Sequence, residues 1–192
     1  MTTPERDPSI YVVPRKPLAG GKVVIVAYDP AWPGLFEREA QRIRAVLGPR
    51  ALLVEHAGST SVPGLAAKPR IDIILAVADS SDEAAYALDL EAAGYPLTLR
   101  EPDWFEHRLF RGPNTDINLH TFTIGSPEID KMLRFRDWLR THDDDRELYE
   151  RAKLDLAAGT FEHMQDYADA KTTVVNQILG RAGWVASEAS AT

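Results

Sequence analysis

The sequence predicts an α/β (α+β) protein: a small mixed β-sheet with flanking helices, followed by a C-terminal helical bundle. Three observations carry this expectation. Up to residue 125, short apolar runs bounded by Gly, Pro and Asp alternate with helical periodicities. From Ser126 onward no strand signal recurs and the periodicity is helical. The run from Ile71 to Val77 is apolar on nearly both faces, as a central strand covered on both sides must be.

The elements follow in order. Residues 1–21 read as an extended arm, because Pro4, Pro8, Pro14 and Pro17 favour extended backbone and remove donors. After Gly20-Gly21, residues 23–27 form a continuous apolar run expected to be a buried strand. Asp29-Pro30 and Pro33 turn the chain into a helix whose Phe36, Ala40, Ile43 and Leu47 share one face, ended by Gly48-Pro49. A second strand runs from Leu52 into Gly58-Ser59. Residues 60–69 hold Pro63, Gly64 and Pro69 and read as a loop leading into the central strand. Ser81 caps a helix running to about Ala93, ended by Gly94. Strands are expected at 95–100, 106–110 and 116–123, with a turn at Gly112-Pro113-Asn114. Helices are expected at about 127–142, 145–158 and 161–183, and a frayed tail at 185–192. The division is an α/β core over 22–125 with a helical part, 126–184, packed on it.

Composition narrows the function. The chain of 192 residues suits one domain, and it carries a net charge of -7. A general nucleic-acid binder is usually basic, so none is expected here, and any anion must be held by a local cluster of Arg and Lys. The absence of cysteine excludes disulfides, thiolate nucleophiles and Cys-type zinc sites. No apolar run approaches the roughly 20 residues of a membrane span, and the N-terminus has no apolar signal region, so the expectation is a cytoplasmic protein without a membrane partner.

Candidate functional residues stand where the pattern calls for apolar ones. Asp72 interrupts the central strand; a carboxylate there is either paired with a nearby Arg or backbone amides, or binds metal. Twelve residues separate it from Ser59 in the turn Gly58-Ser59-Thr60-Ser61, whose small residues let backbone amides reach phosphate oxygens. Asp116, Asn118 and His120 alternate onto one strand face, either solvated or offering His120 as base or ligand. In the helical half, Arg136 and Lys171 sit inside apolar stripes, and Lys153 lies one turn after Tyr149. Such cations either snorkel from an apolar surface or together line a site for phosphate or carboxylate.

Several motifs resemble the GrpB family: Tyr28-Asp29-Pro30-Ala31-Trp32-Pro33, the long stretch from Glu55-His56-Ala57-Gly58-Ser59 through Lys68-Pro69-Arg70-Ile71-Asp72-Ile73, Asn118-Leu119-His120, Phe135-Arg136-Asp137-Trp138-Leu139, and the Tyr149/Lys153 and Tyr167/Lys171 pairs. The resemblance covers about residues 22–183. It implies a nucleotidyltransferase-like fold of the DNA polymerase β type, in which a Gly-Ser turn holds nucleotide phosphates and an acid pair on the following strand holds magnesium. The sequence departs from that acid pattern, because Arg70 and Ile74 stand in the two slots beside Asp72. Glu55 and Asp116 would be the helper ligands beside Asp72. The expectation is therefore a protein that binds a nucleoside triphosphate or other phosphorylated substrate with Mg2+ and transfers a nucleotidyl or related group to an acceptor. Gly58, Ser59 and Thr60 would hold phosphate, Asp72 the metal, and His120 would be base or ligand. Lys68, Arg136, Lys153 and Lys171 would neutralise anionic groups. The alternatives are a ligase joining a carboxylate to an amine, and a binding domain without catalysis.

Overall fold

The computed structural model describes residues 7–184. The expected tail, 185–192, and the first six residues of the arm lie outside that range. Five strands form one mixed sheet in the order β1-β2-β5-β4-β3: β1 (Leu53–Ala57), β2 (Ile71–Val77), β3 (Leu97–Glu101), β4 (His107–Arg111) and β5 (Ile117–Thr123). Central β2 pairs antiparallel with β1 and parallel with β5, with Asp72 beside Asn118 and Ile74 beside His120. The remaining pairs, β4 with β5 and β3 with β4, are antiparallel.

The alternation of β2 decides which layer lies on which face. Ile71, Ile73, Leu75 and Val77 pack with Val54, Leu119 and Phe110 against α1 (Trp32–Leu47) and α2 (Ala87–Ala92). The stripe expected in α1 is found, with Ala40, Ile43 and Leu47 buried and Phe36 partly so. On the opposite face Ile74, Ala76, Ala57 and Phe122 meet Ile129 of α3 (Pro127–Thr141). A third apolar cluster joins Val62 and Leu65 of the loop after β1 to Leu139 of α3, Tyr149 of α4 (Asp143–Ala158) and Ile178 of α6 (Thr172–Arg181). The loop between β1 and β2 is thus wedged between the sheet and the helical half.

Three expectations are corrected. The helix expected from Ser81 to about Ala93 is a 3-10 turn, Glu83–Ala85, followed by the short α2, and Ser81 caps neither. Residues 23–27 do not form a strand. Val26 alone bridges Ala67, through a reciprocal pair of backbone bonds, and Val24 is 63% exposed. An apolar run without a neighbouring strand has no ladder to join. The long helix expected over 161–183 is two helices, α5 (Met164–Ala170) and α6, meeting at Lys171. The arm lies along the outer edge of β3, where Val12 N–H donates to the Thr98 carbonyl. At the opposite edge, Arg44 and Arg136 donate to the outward carbonyls of Val54 and His56, so β1 does not present a bare row of acceptors. Among the described residues no helix is long and apolar enough to cross a membrane.

Candidate functional site

The site begins where β1 ends. Gly58 has φ +66°, and a Cβ there would stand 2.3 Å from Asp72 Oδ2. Glycine is required twice, for the backbone conformation and for the close approach. That approach lays the turn against the Asp72 carboxylate on the neighbouring strand, the juxtaposition the sequence suggested. Of the three turn residues expected to hold phosphate, Thr60 has its side chain spent elsewhere. It is 1% exposed, its hydroxyl bonded to His56 Nε2 at 3.1 Å and to the Arg70 carbonyl at 3.4 Å. Ser61 closes the turn by donating to the Gly58 carbonyl. The Ser59 hydroxyl makes no hydrogen bond with a described residue.

Asp72 sits in a web of donors. Asn118 Nδ2 donates to Oδ1 at 2.6 Å, and His120 Nε2 lies 3.7 Å from the same oxygen. Burial pushes this carboxyl up, but His120, the Lys68 charge and the Asn118 amide outweigh it and hold Asp72 at about 2. Lys68 makes no hydrogen bond or ion pair with a described residue. Burial brings it down to about 8 against the pull of Asp72, with Arg70, Lys171 and Arg111 lowering it further. Arg111 donates to Asn118 Oδ1, and burial and Arg70 lower its proton affinity. Lys68, Arg70, Arg111 and Lys171 therefore share one region with two carboxylates, Asp72 and Asp116. Four positive charges against two make this an electropositive spot on a chain of net charge -7.

Lys171 caps the junction of α5 and α6, with Nζ 4.8 Å from the Tyr167 ring centroid; Lys153 Nζ is equally far from Tyr149. Both pairs singled out in the sequence are thus cation–π contacts one helical turn apart. Their settings differ. Lys171 is half-buried, whereas Lys153 is 2% exposed and donates to the Ala66 carbonyl. Glu150, one residue short of a turn before it, accepts from Ala66 N–H at 2.7 Å. Lys153, expected to face an anion, instead helps α4 grip both sides of the Ala66 peptide, two residues before Lys68. Burial, the Lys171 charge and, against them, Glu150 leave it at about 7.

Three further expectations are corrected. Arg136 is held by protein groups: Glu55 Oε2 at 2.8 Å, the His56 carbonyl at 2.9 Å and Asp137 Oδ1 at 2.7 Å. It ties α3 to β1 with four of its five N–H donors spent on protein acceptors. Glu55 is correspondingly held by Arg136, and Asp116 by Arg70 Nε at 2.6 Å, so neither gathers on Asp72. Among the described residues no group of three or more His, Asp or Glu side chains is placed to hold a metal ion. Ile74, in one neighbouring slot, is fully buried in the apolar cluster under α3. Magnesium prefers oxygen donors in octahedral array. One carboxylate, already bonded to Asn118 and ringed by cations, with imidazole as its neighbour, does not fit that preference.

Sequence reasoning missed three groups. Arg111 lies opposite Asn118 on β4. Glu101 and His107 extend the site across the sheet: Glu101 Oε2 is 2.8 Å from His107 Nδ1, and His107 Nε2 is 3.1 Å from His120 Nδ1. The only signal for this pair is that a buried Glu and a buried His flank the β3–β4 turn. A separate cleft of about 530 Å³ opens beside the free edge of β1, between Phe36, His56, Arg136 and Arg140. None of Asp72, Lys68, His120 and Lys171 lines it, and its Arg140 is bonded to the Ser61 carbonyl and Asp137.

The sheet order, the turn packed on a central-strand carboxylate and the helical half define a nucleotidyltransferase-like fold. A chain of the GLD-2/RNP-8 complex shares this fold, with a TM-score of 0.50 and 14% identity over 86% of this chain and 63% of that one. The chain belongs to the GrpB family, whose model, described as GrpB protein, matches residues 22–181. A crystal structure of GrpB from Enterococcus faecalis is 32% identical, with a TM-score of 0.71, over 83% of this chain and 96% of that one. A UPF0157 protein of Halalkalibacterium halodurans is 56% identical over 183 residues, 94% of each chain. A dephospho-CoA kinase of Mycolicibacterium paratuberculosis is 30% identical over 168 residues, 74% of this chain and 41% of that one.

Proposed function

We propose that the region around Ser59, Lys68, Asp72, Arg111 and Lys171 binds a nucleoside triphosphate or another phosphorylated substrate and serves the transfer of its nucleotidyl or related group to an acceptor. The observation that carries this reading is Lys68: a half-buried ammonium without a hydrogen-bonding partner among the described residues, grouped with three other cations beside a turn that leaves the Ser59 hydroxyl free. Uncompensated cations in a partly desolvated setting are stabilised by an incoming anion. Phosphate oxygens accept from Lys68, Lys171 and Ser59. Asp72 faces the opposite way in charge, so it repels phosphate and favours a cation or a proton donor beside it. His120, 3.7 Å from Asp72, takes the proton of an acceptor hydroxyl or amine, and Asp72 stabilises the resulting imidazolium. The magnesium implied by the family resemblance meets a single carboxylate here, and no step is assigned to it.

A second reading, binding without group transfer, draws on Ile74 in the acid slot. The two separate in one experiment. Calorimetric titration with a panel of nucleoside triphosphates and phosphorylated metabolites, with and without magnesium, is expected to find a ligand. Lys68→Met should weaken it at least about tenfold, the worth of a lost charge-assisted hydrogen bond. Pyrophosphate or phosphate release with an acceptor supports transfer; binding without release supports the second reading. If no phosphorylated compound binds, both fail.

A further inference from the structure

Four side chains from four adjacent strands form one line across the sheet: Glu101 on β3, His107 on β4, His120 on β5 and Asp72 on β2. Their protons are not free to sit anywhere. Carboxylate Glu101 only accepts, so His107 donates to it through Nδ1–H. His107 is 1% exposed, stacked on His120 and Phe122 and edge-on to Trp104. Burial opposes a second proton on it, overcoming the raising effect of Glu101, with His120 and Arg108 adding to the opposition, and it titrates only at about 4. A neutral His107 protonated on Nδ1 has a bare Nε2, which must accept. Its neighbour 3.1 Å away is His120 Nδ1, which is therefore the donor. His120, when neutral, then has its lone pair on Nε2, the nitrogen that faces Asp72.

We infer that Glu101 and His107 are positioning residues that fix His120 in its Nδ1–H tautomer and so present Nε2 as the proton acceptor beside Asp72. The spacing agrees. Two acceptors cannot share a hydrogen bond, and His120 Nε2 stands 3.7 Å from Asp72 Oδ1, beyond bonding distance, while Asn118 at 2.6 Å is within it. In the proposed transfer, the acceptor's X–H bond breaks as its electron pair forms the new bond to phosphorus. The proton passes to His120 Nε2, and the imidazolium so formed is stabilised by the Asp72 charge 3.7 Å from Nε2 and donates to His107 through Nδ1–H. The leaving group departs with the electron pair of the broken bond to phosphorus. The catalytic use rests on the function proposed above; the tautomer does not.

The test is therefore made on the free protein. Long-range ¹H–¹⁵N correlation spectra of the histidine-labelled full chain at pH 7.5 should show His120 protonated on Nδ1 and bare on Nε2. In His107→Phe, which keeps a ring in the stack and removes the acceptor, His120 should move toward the Nε2–H form. A neutral Nε2–H His120 in the wild type overturns the inference, as does an unchanged tautomer in the variant. If His107→Phe does not fold, the wild-type spectrum decides alone. Should a transfer activity be found, the same substitution is expected to lower kcat by about a hundredfold, the scale of general-base catalysis, and leave KM unchanged; an equal rise in KM with constant kcat overturns the positioning role. The Nδ1–H tautomer in a protein that binds no phosphorylated compound would leave the positioning intact and sink the proposed function instead.

Discussion

Replacing Lys153 with methionine tests whether this lysine is a buried anchor of the loop or a solvated cation. Methionine keeps the stem and removes the ammonium. In the unfolded chain Lys153 holds its proton up to pH 10.5; in the fold burial, with help from Lys171 and against Glu150, lets it go at about 7. Between those values the unfolded chain binds more protons, so raising the pH stabilises the native state. Below pH 7 the native protein bears the full cost of the buried charge. The displacement from 10.5 to about 7 sets that cost at roughly 5 kcal/mol, at about 1.4 kcal/mol per pH unit. Against it stand the bond to the Ala66 carbonyl, about 1 kcal/mol, and the contact with the Tyr149 ring, about 1 kcal/mol. At pH 6 Lys153→Met should thus be more stable than the wild type by about 3 kcal/mol. Near pH 10.5 the charge cost has vanished together with the charged contact on the ring, and the variant should be less stable by about 1 kcal/mol, the worth of the bond to the Ala66 carbonyl. Urea unfolding midpoints at pH 6, 8 and 10 read the difference, and comparing the two proteins at each pH cancels the parallel effect of Lys68, which falls to about 8. A variant destabilised equally at every pH refutes the reasoning and makes Lys153 an ordinary, fully charged lysine.

The other predictions are more local. Gly58→Ala places a Cβ 2.3 Å from Asp72 Oδ2 at a φ of +66°. It should cost at least about 2 kcal/mol and abolish the ligand response, read as a melting temperature and a titration; an unperturbed melt would mean the turn does not lie on Asp72. In acid, His56 and His107 stay neutral in the fold down to about 4, His56 because burial and the nearby arginines outweigh Asp72. The unfolded chain binds these protons from about pH 6.5, so stability should fall between 6.5 and 4, by up to about 3 kcal/mol per histidine, and show no further histidine-linked loss below that. Urea midpoints flat down to pH 4 would refute the burial of both rings.

The element order was legible in the sequence because it depends on periodicity and punctuation, which are local. The alternation of Ile71, Ile73, Leu75 and Val77 and the stripe of Ala40, Ile43 and Leu47 can be placed before any partner is known, and each is found in the core. Asp72 and Gly58 were legible for the opposite reason, since each breaks the local pattern it sits in. Residues 23–27 misled because an apolar run signals burial or pairing but cannot name a partner, and here only Val26 has one. The cations misled in the same way. Arg136 and Lys171 interrupt apolar stripes and Lys153 follows Tyr149 by one turn, yet Arg136 is held by Glu55, Asp137 and a carbonyl, Lys153 grips the Ala66 peptide, and only Lys171 joins Lys68. Whether a buried cation is satisfied by the protein or by a ligand depends on groups brought in from distant strands. The same holds for Glu101, His107 and His120, which come into line only because β3, β4 and β5 are neighbours in the sheet. Sequence fixes which side chains alternate onto a face; strand order, set by the long-range burial of both sheet faces, decides which of them meet.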